Sequence, residues 1–331
     1  MMTTTRVCRA AGLALAALLA APGARADSGP ASGYPVRPIR IIAPSPPGSP
    51  PDIVARFVAD WLAGPLGQPV TVENRPGGSS SIGLQAVANA TPDGYTLGVM
   101  NLPASIAPAL VPNLAYDTTK DLAPVHQVIW GSNVLIVRAS SPLRSVGDVI
   151  AFAKARPGEL TFSSGGNGTP AHFSGEFLRL HAGIDIRHVP YKGASAGIAA
   201  VLGEQTDMMF ASVAPAAPLI RAGKFRVLAT SAPVRVAAFP EVPTMVELGF
   251  PGFDIRDWTG IVAPAGTPRE IVARVAREIS KVLALAETKE RLAAMGMEPA
   301  ERMGPEEFGA LIRSEVARWA KVVREAGLRA D

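Results

Sequence analysis

The chain has 331 residues, of which 48% are apolar, 6% aromatic and 18% charged, with a formal net charge of +4. That length exceeds one ordinary core and points to two lobes, and the basic residues are scattered, which leaves no electrostatic footprint for nucleic acid. A single cysteine, Cys8, excludes a disulfide framework.

Arg6 and Arg9 precede an apolar run from Ala10 to Ala21, which ends in Pro22-Gly23-Ala24-Arg25-Ala26. A basic start, a short apolar stretch and an Ala-x-Ala ending mark residues 1–26 as a signal peptide cleaved near Ala26. The run is shorter than the roughly 20 apolar residues that span a bilayer. No other stretch comes near that length, so the expectation is an exported, periplasmic chain without membrane insertion after cleavage. Cleavage also removes Cys8 and three arginines (Arg6, Arg9, Arg25), leaving no thiol and 29 Lys and Arg against 28 Asp and Glu.

The mature sequence alternates short β-branched runs with amphipathic helices, the pattern of an α/β protein with largely parallel sheets. Ile39–Ala43 reads as a strand that runs into a rigid loop, Pro44–Pro51, and a helix to about Ala63. Pro51 suits the first helical turn, and Asp52 complements the positive end of the helix dipole. Val70–Glu73 is a second strand before a helix near 80–90, and Tyr95–Met100 a third that ends at Asn101. Val134–Val137, Leu160–Ser163 and Ile186–Tyr191 read as strands; Val146–Ala155, Pro170–His181 and Ser195–Gly203 read as helices. Helices at Pro268–Leu285 and Pro305–Ala326 close the chain, the latter with Ile312, Val316, Trp319, Val322 and Val323 at helical spacing. No Ser-rich or charged linker separates two domains. Chain crossovers are therefore expected near 125–131 and 253–258, giving lobe 1 from 27–127 plus 256–331 and lobe 2 from 128–255.

Two loops carry candidate chemistry. Ser164-Gly165-Gly166-Asn167-Gly168-Thr169 follows a strand and opens a helix. Backbone N–H groups at such a helix start, with glycines permitting close approach, suit an anion. Gly166–Ala171 also fits a loose dinucleotide fingerprint, but a lone mid-chain match is weak. Pro44–Pro51 is a second strand-to-helix loop, and ligands of open α/β sheets bind outside the carboxyl ends of strands. Tyr191 and Lys192 end a strand where a phenol and an ammonium would face an anion, although a solvated role suits Lys192 equally well.

Gly193-Ala194-Ser195-Ala196-Gly197 matches the nucleophile elbow of α/β hydrolases. That fold needs a histidine after the serine, and His126, His172, His181 and His188 all precede it. A Ser-His dyad in another order stays open without supporting spacing. The histidines have no metal-binding spacing, so neither metal nor cofactor is expected.

In their order along the chain, several motifs resemble the Bug-type (TctC-like) periplasmic solute receptors of the tripartite tricarboxylate transporter family. They are Tyr34-Pro35-Val36-Arg37-Pro38-Ile39-Arg40, Val72-Glu73-Asn74-Arg75-Pro76-Gly77 and Pro92-Asp93-Gly94-Tyr95-Thr96-Leu97. Then come His188-Val189-Pro190-Tyr191-Lys192-Gly193, Val242-Pro243-Thr244 and Ala263-Pro264-Ala265-Gly266-Thr267-Pro268. The resemblance covers essentially the whole mature chain. It implies a two-lobed α/β fold of the periplasmic-binding-protein type II (Venus flytrap), each lobe a mostly parallel sheet flanked by helices. The expected ligand is a small carboxylate (a di- or tricarboxylate, an amino acid or an aromatic acid) held by one loop from each lobe. Carried onto this sequence, the ligand-binding residues are Ser45, Pro46, Gly48, Ser49 and Asp52 in the first loop. Ser164, Gly165, Asn167, Gly168 and Thr169 form the second, with His172 just behind it and Asn101, Tyr191 and Ser212 nearby.

One departure stands out. The family usually reads Pro-Phe-x-Pro-Gly-Gly in the first loop; here Ser45 stands at the Phe position and Ser49 at the second Gly, which implies a larger or more polar pocket. The resulting expectation is a monomeric receptor, not an enzyme, that delivers its ligand to the permease subunits of a secondary transporter. A sensing receptor that docks on a signalling protein is the alternative, and a periplasmic hydrolase using Ser195 or Ser164 a more distant one.

Overall fold

The computed structural model describes residues 33–326 except 112; the expected signal peptide and its cleavage site lie outside them. β1 (Ile39–Ala43) leads into α1 (Pro50–Leu66), β2 (Val70–Asn74), α2 (Ser81–Ala88), β3 (Thr96–Asn101), α3 (Leu102–Leu110) and β4 (Leu122–Gly131). The chain then crosses to β5 (Asn133–Arg138), α4 (Val146–Ala155), β6 (Thr161–Ser164), α5 (Pro170–Ala182), β7 (Arg187–Pro190), α6 (Ala194–Leu202), β8 (Met208–Ser212), α7 (Val213–Arg221) and β9 (Phe225–Thr230). It returns to β10 (Asp257–Pro264), α8 (Arg269–Leu283), α9 (Ala286–Ala293), β11 (Met297–Pro299) and α10 (Pro305–Ala326).

Two sheets result, one of six strands in the order β11-β4-β10-β3-β1-β2 and one of five in the order β7-β6-β8-β5-β9. In the first, β1 to β4 share a direction, and β10 and β11 oppose them. In the second, only β5 is reversed. The two long reversed strands, β5 and β10, are the ones the chain enters directly from the other lobe. A strand reached through a βα connection is forced parallel to its predecessor. One reached by an interlobe crossing is free of that constraint.

The first crossing is at Ser132, because β4 stays hydrogen-bonded to β10 as far as Gly131; the division expected at 127/128 falls inside that strand. Both crossings are stitched together. Val213 N–H donates to Ser132 O at 3.1 Å, Ser231 N–H to Asn133 O at 2.9 Å and Ile255 N–H to Ser231 O at 3.3 Å.

Burial follows the expected pattern. β1 lies between β2 and β3 and buries Ile39, Ile41, Ile42 and Ala43 completely, each isoleucine contributing about 1.5–3 kcal/mol. α1 starts with Pro50 and Pro51, buries Val54, Ala55, Val58 and Leu62, and ends at Gly67 with φ 66°, a left-handed cap that glycine takes without a Cβ clash. On α10, Ile312, Trp319 and Val323 are buried as their spacing predicts, and Val316 is packed against the core. The Trp319 ring lies 4.5 Å from that of Phe173 on α5, so the last helix reaches across to the second lobe. The elements the sequence reading missed include α3 and α7, whose internal Pro108 and Pro218 disguise helical periodicity.

Candidate ligand-binding cleft

A cavity of about 820 Å³ lies between the lobes. It sits at the carboxyl ends of the strands that share a direction, and the helices following them begin there. Ser49, Ser80, Asn101, Thr169, Gly193 and Ser212 are the N-cap residues of α1, α2, α3, α5, α6 and α7. All six line the cavity. Six positive dipole ends facing one space favour an anion within it.

The first loop is built differently from expectation. Its prolines carry no N–H, and the amides of Gly48 and Ser49 are already engaged, by Asp52 Oδ2 at 2.8 Å and by Pro46 O at 3.3 Å. What this loop presents is hydroxyl: Ser45 and Ser49 line the cavity with Pro46, and their oxygens are 2.7 Å apart. The two departures from the family pattern are thus hydrogen-bonded to each other. Asp52 does not line the cavity. It is buried, and accepts hydrogen bonds from Gly48 N–H, from Asn74 Nδ2 at 2.8 Å and from Arg56 Nε at 3.1 Å. Burial works against its ionisation, but the bonds from Arg56, Asn74 and Gly48 outweigh it and hold the carboxyl below its ordinary value. Asn74 also donates to Ser45 O at 3.0 Å. Asp52 and Asn74 therefore clamp the loop, and Gly48 serves the clamp rather than the cavity wall.

In the second loop Gly165, Asn167 and Thr169 line the cavity together with Gly166, Pro170 and Ala171. Ser164, Gly168 and His172 do not; they hold the loop from behind. His172 Nδ1 accepts from Gly168 N–H at 3.2 Å, and the His172 ring stacks on His188 at 4.2 Å. Ser164 Oγ is 2.7 Å from His188 Nε2 and accepts from Gly166 N–H at 3.0 Å. Burial, reinforced by the neighbouring His172, lowers the His188 pKa to about 3. The spacing of Ser164 and His188 looks like a Ser-His dyad, but Ser164 is fully buried and its imidazole partner is a very weak base. Ser195 is exposed at the start of α6. Tyr191 follows β7, an edge strand, and donates to Gln205 Oε1 at 3.3 Å; Lys192 beside it does line the cavity.

The lobes touch around this space. Ser79 Oγ donates to Asn167 O at 3.4 Å. Gly168 has φ +77°, and a Cβ there would lie 3.0 Å from Leu110 Cδ1 and 3.2 Å from Ser79 Oγ. Sequence reasoning missed the Pro76–Ser80 segment, although it follows a strand and opens a helix as the other two loops do. It also missed Asp257, which the rule of carboxyl ends cannot find. β10 is antiparallel to β3 and β4, so its first residue, not its last, lies at the cleft, opposite Gly131 at the end of β4.

Among the described residues no group of three or more His, Cys, Asp or Glu could hold a metal ion. No described helix is long and apolar enough to cross a membrane.

Residues 54–328 match the family described as the tripartite tricarboxylate transporter family receptor. The chain is 36% identical to protein BugT of Bordetella pertussis over 330 residues, covering 99% of each. Among solved structures it resembles the periplasmic binding protein BugD, with a TM-score of 0.84 and 31% identity over 90% of this chain and all of that one. It also resembles MatC of Rhodopseudomonas palustris with bound malate, with a TM-score of 0.81 and 32% identity over 88% of this chain and all of MatC. An R. palustris protein solved with adipate gives a TM-score of 0.85 and 31% identity over 89% of this chain and 98% of the other. The chain belongs to the tripartite tricarboxylate transporter receptor family, as a Bug-type, TctC-like solute receptor.

Proposed function

We propose that this receptor works in the periplasm, captures a small carboxylate in the interlobe cavity without turning it over, and delivers it to the membrane subunits of a tripartite transporter. The observation that carries this reading is the convergence of six helix N-caps on one cavity. A carboxylate placed there meets N–H groups at the start of α6 and hydroxyls of Ser45, Ser49, Ser80, Thr169 and Ser212, while the second-loop amides of Gly166, Gly168 and Thr169 are already engaged within the loop. The relatives solved with malate and with adipate support the ligand class. Ligand contacts from both lobes would stabilise the closed arrangement in preference to an open one. Against hydrolysis stands the absence, at the cavity wall, of an activated serine: Ser164 is buried behind it. Thermal unfolding of the mature protein, refolded to remove co-purified ligand, tests the reading against mono-, di- and tricarboxylates, amino acids and aromatic acids. A ligand at about 100 times its Kd adds roughly 2.7 kcal/mol and raises Tm by about 4 °C. No shift with any class would refute carboxylate capture.

A further inference from the structure

Among the described residues, Asp257 is the only carboxylate at the wall of the cavity. It is 7% exposed, and its Oδ1 has no hydrogen-bond partner. Burial raises its pKa to about 7, with the backbone N–H of Trp258 working against the rise. An unpaired buried carboxylate costs stability, and here it shares the cavity with six helix starts and forms no salt bridge with a described residue. The cavity wall is thus bipolar, with N–H groups and hydroxyls over most of it and one acid at the root of β10.

We infer that Asp257 receives an ammonium group, so that the cleft selects a zwitterion whose carboxylate rests on the helix starts and whose protonated amine meets Asp257. This rests on the carboxylate reading above and narrows it from simple acids to amino-bearing ones. A single ammonium suits the site better than a divalent metal, which takes six or more oxygens from a cluster of ligands, and no such cluster exists among the described residues.

None of the described charged groups on the surrounding elements forms a salt bridge with Asp257. Arg256, its neighbour on β10, pairs with Asp254 and stacks on Trp130 of β4. Asp52 at the start of α1 is taken up by Gly48, Asn74 and Arg56. Glu298 on β11 is exposed. The first turn of α7 carries no charge, and Lys192 belongs to the α6 side of the cavity wall.

Titration calorimetry on the refolded mature protein can decide the matter with matched pairs: glutamate and glutarate, leucine and 4-methylpentanoate, phenylalanine and 3-phenylpropanoate. For at least one pair the amino acid should bind about tenfold or more tightly than its deaminated partner, the worth of one charge-assisted hydrogen bond. Asp257→Asn should erase that advantage while leaving the deaminated acid's affinity within a few-fold. Because the amine needs an ionised partner, amino-acid affinity should rise between pH 5.5 and 7.5. A protonated Asp257 donating to a second carboxylate would make affinity fall over the same interval. Equal binding within every pair, survival of the amine advantage in Asp257→Asn, or a falling pH profile each overturns the ammonium site and leaves carboxylate capture standing. Binding of none of the six compounds overturns the ammonium site, and the wider carboxylate panel above then decides carboxylate capture separately.

Discussion

The two loops that face each other across the cleft take the same strand-to-helix course but are held by different groups, a carboxylate behind one and imidazoles behind the other. The first is proline-rich, with the amides of Gly48 and Ser49 already engaged, and is clamped by a buried carboxylate, Asp52. The second is glycine-rich and backed by a stack of imidazoles, with His172 accepting from Gly168 N–H and His188 bonded to Ser164. Both are strand-to-helix turns, and in both most amides are already engaged, Gly48 and Ser49 in the first and Gly166, Gly168 and Thr169 in the second. A motif fixes where a loop lies relative to a sheet; the bonds already formed within the loop decide which polar groups remain for a ligand.

The clearest way to break this comparison is to remove the clamp from one side only. Asp52→Ala leaves Gly48 N–H without its acceptor and Asn74 Nδ2 with only Ser45 O, and should cost roughly 2–4 kcal/mol in denaturant unfolding. Ligand binding should weaken with it, since Ser45 and Ser49 lose their fixed position; an unchanged unfolding midpoint would show that the loop holds itself. On the other side, Gly168→Val puts a branched side chain at φ +77° against Leu110 and Ser79. That substitution should prevent the lobes from meeting and abolish the ligand-induced gain of about 2.7 kcal/mol, read as a lost Tm shift in a protein whose ligand-free fold is itself weakened by about 1–3 kcal/mol of backbone strain.

A smaller effect separates the two loops by pH. His188 stays neutral in the folded protein to about pH 3, whereas an unfolded imidazole takes a proton near 6.5. Its contribution is therefore present at neutral pH and is lost progressively as pH falls from about 6.5 towards 3. Asp52 is depressed below the ordinary carboxylate value, so its contribution persists at mildly acid pH and is lost only below about pH 4. His188→Gln should flatten the fall in Tm between pH 6.5 and 4.5, and an identical slope in the variant would remove His188 from the account. Asp257 has the reverse sign, because its raised pKa makes the ligand-free fold easier to keep protonated than ionised.

The order of elements was largely legible. Ile39–Ala43, Val146–Ala155 and Pro305–Ala326 have the bounds their periodicity predicts, because each buries a face at the spacing its backbone imposes. Proline-bearing α3 and α7 escaped notice for the opposite reason. Of the expected pocket residues, Ser45, Pro46, Ser49, Asn101, Gly165, Asn167, Thr169 and Ser212 line the cavity. Gly48, Asp52, Ser164, Gly168 and His172 are engaged behind it, and Tyr191 follows the edge strand β7.

Sequence by itself determined the α/β alternation, the family, and the two loops that open on the cleft, all of which rest on local patterns read along one chain. Only the tertiary structure decided which amides were already spent, that Ser45 and Ser49 bond to each other, and that six helices begin at one space. It alone placed Asp257 there too: the direction of β10 depends on how the chain returns from the other lobe, and no local signal records that.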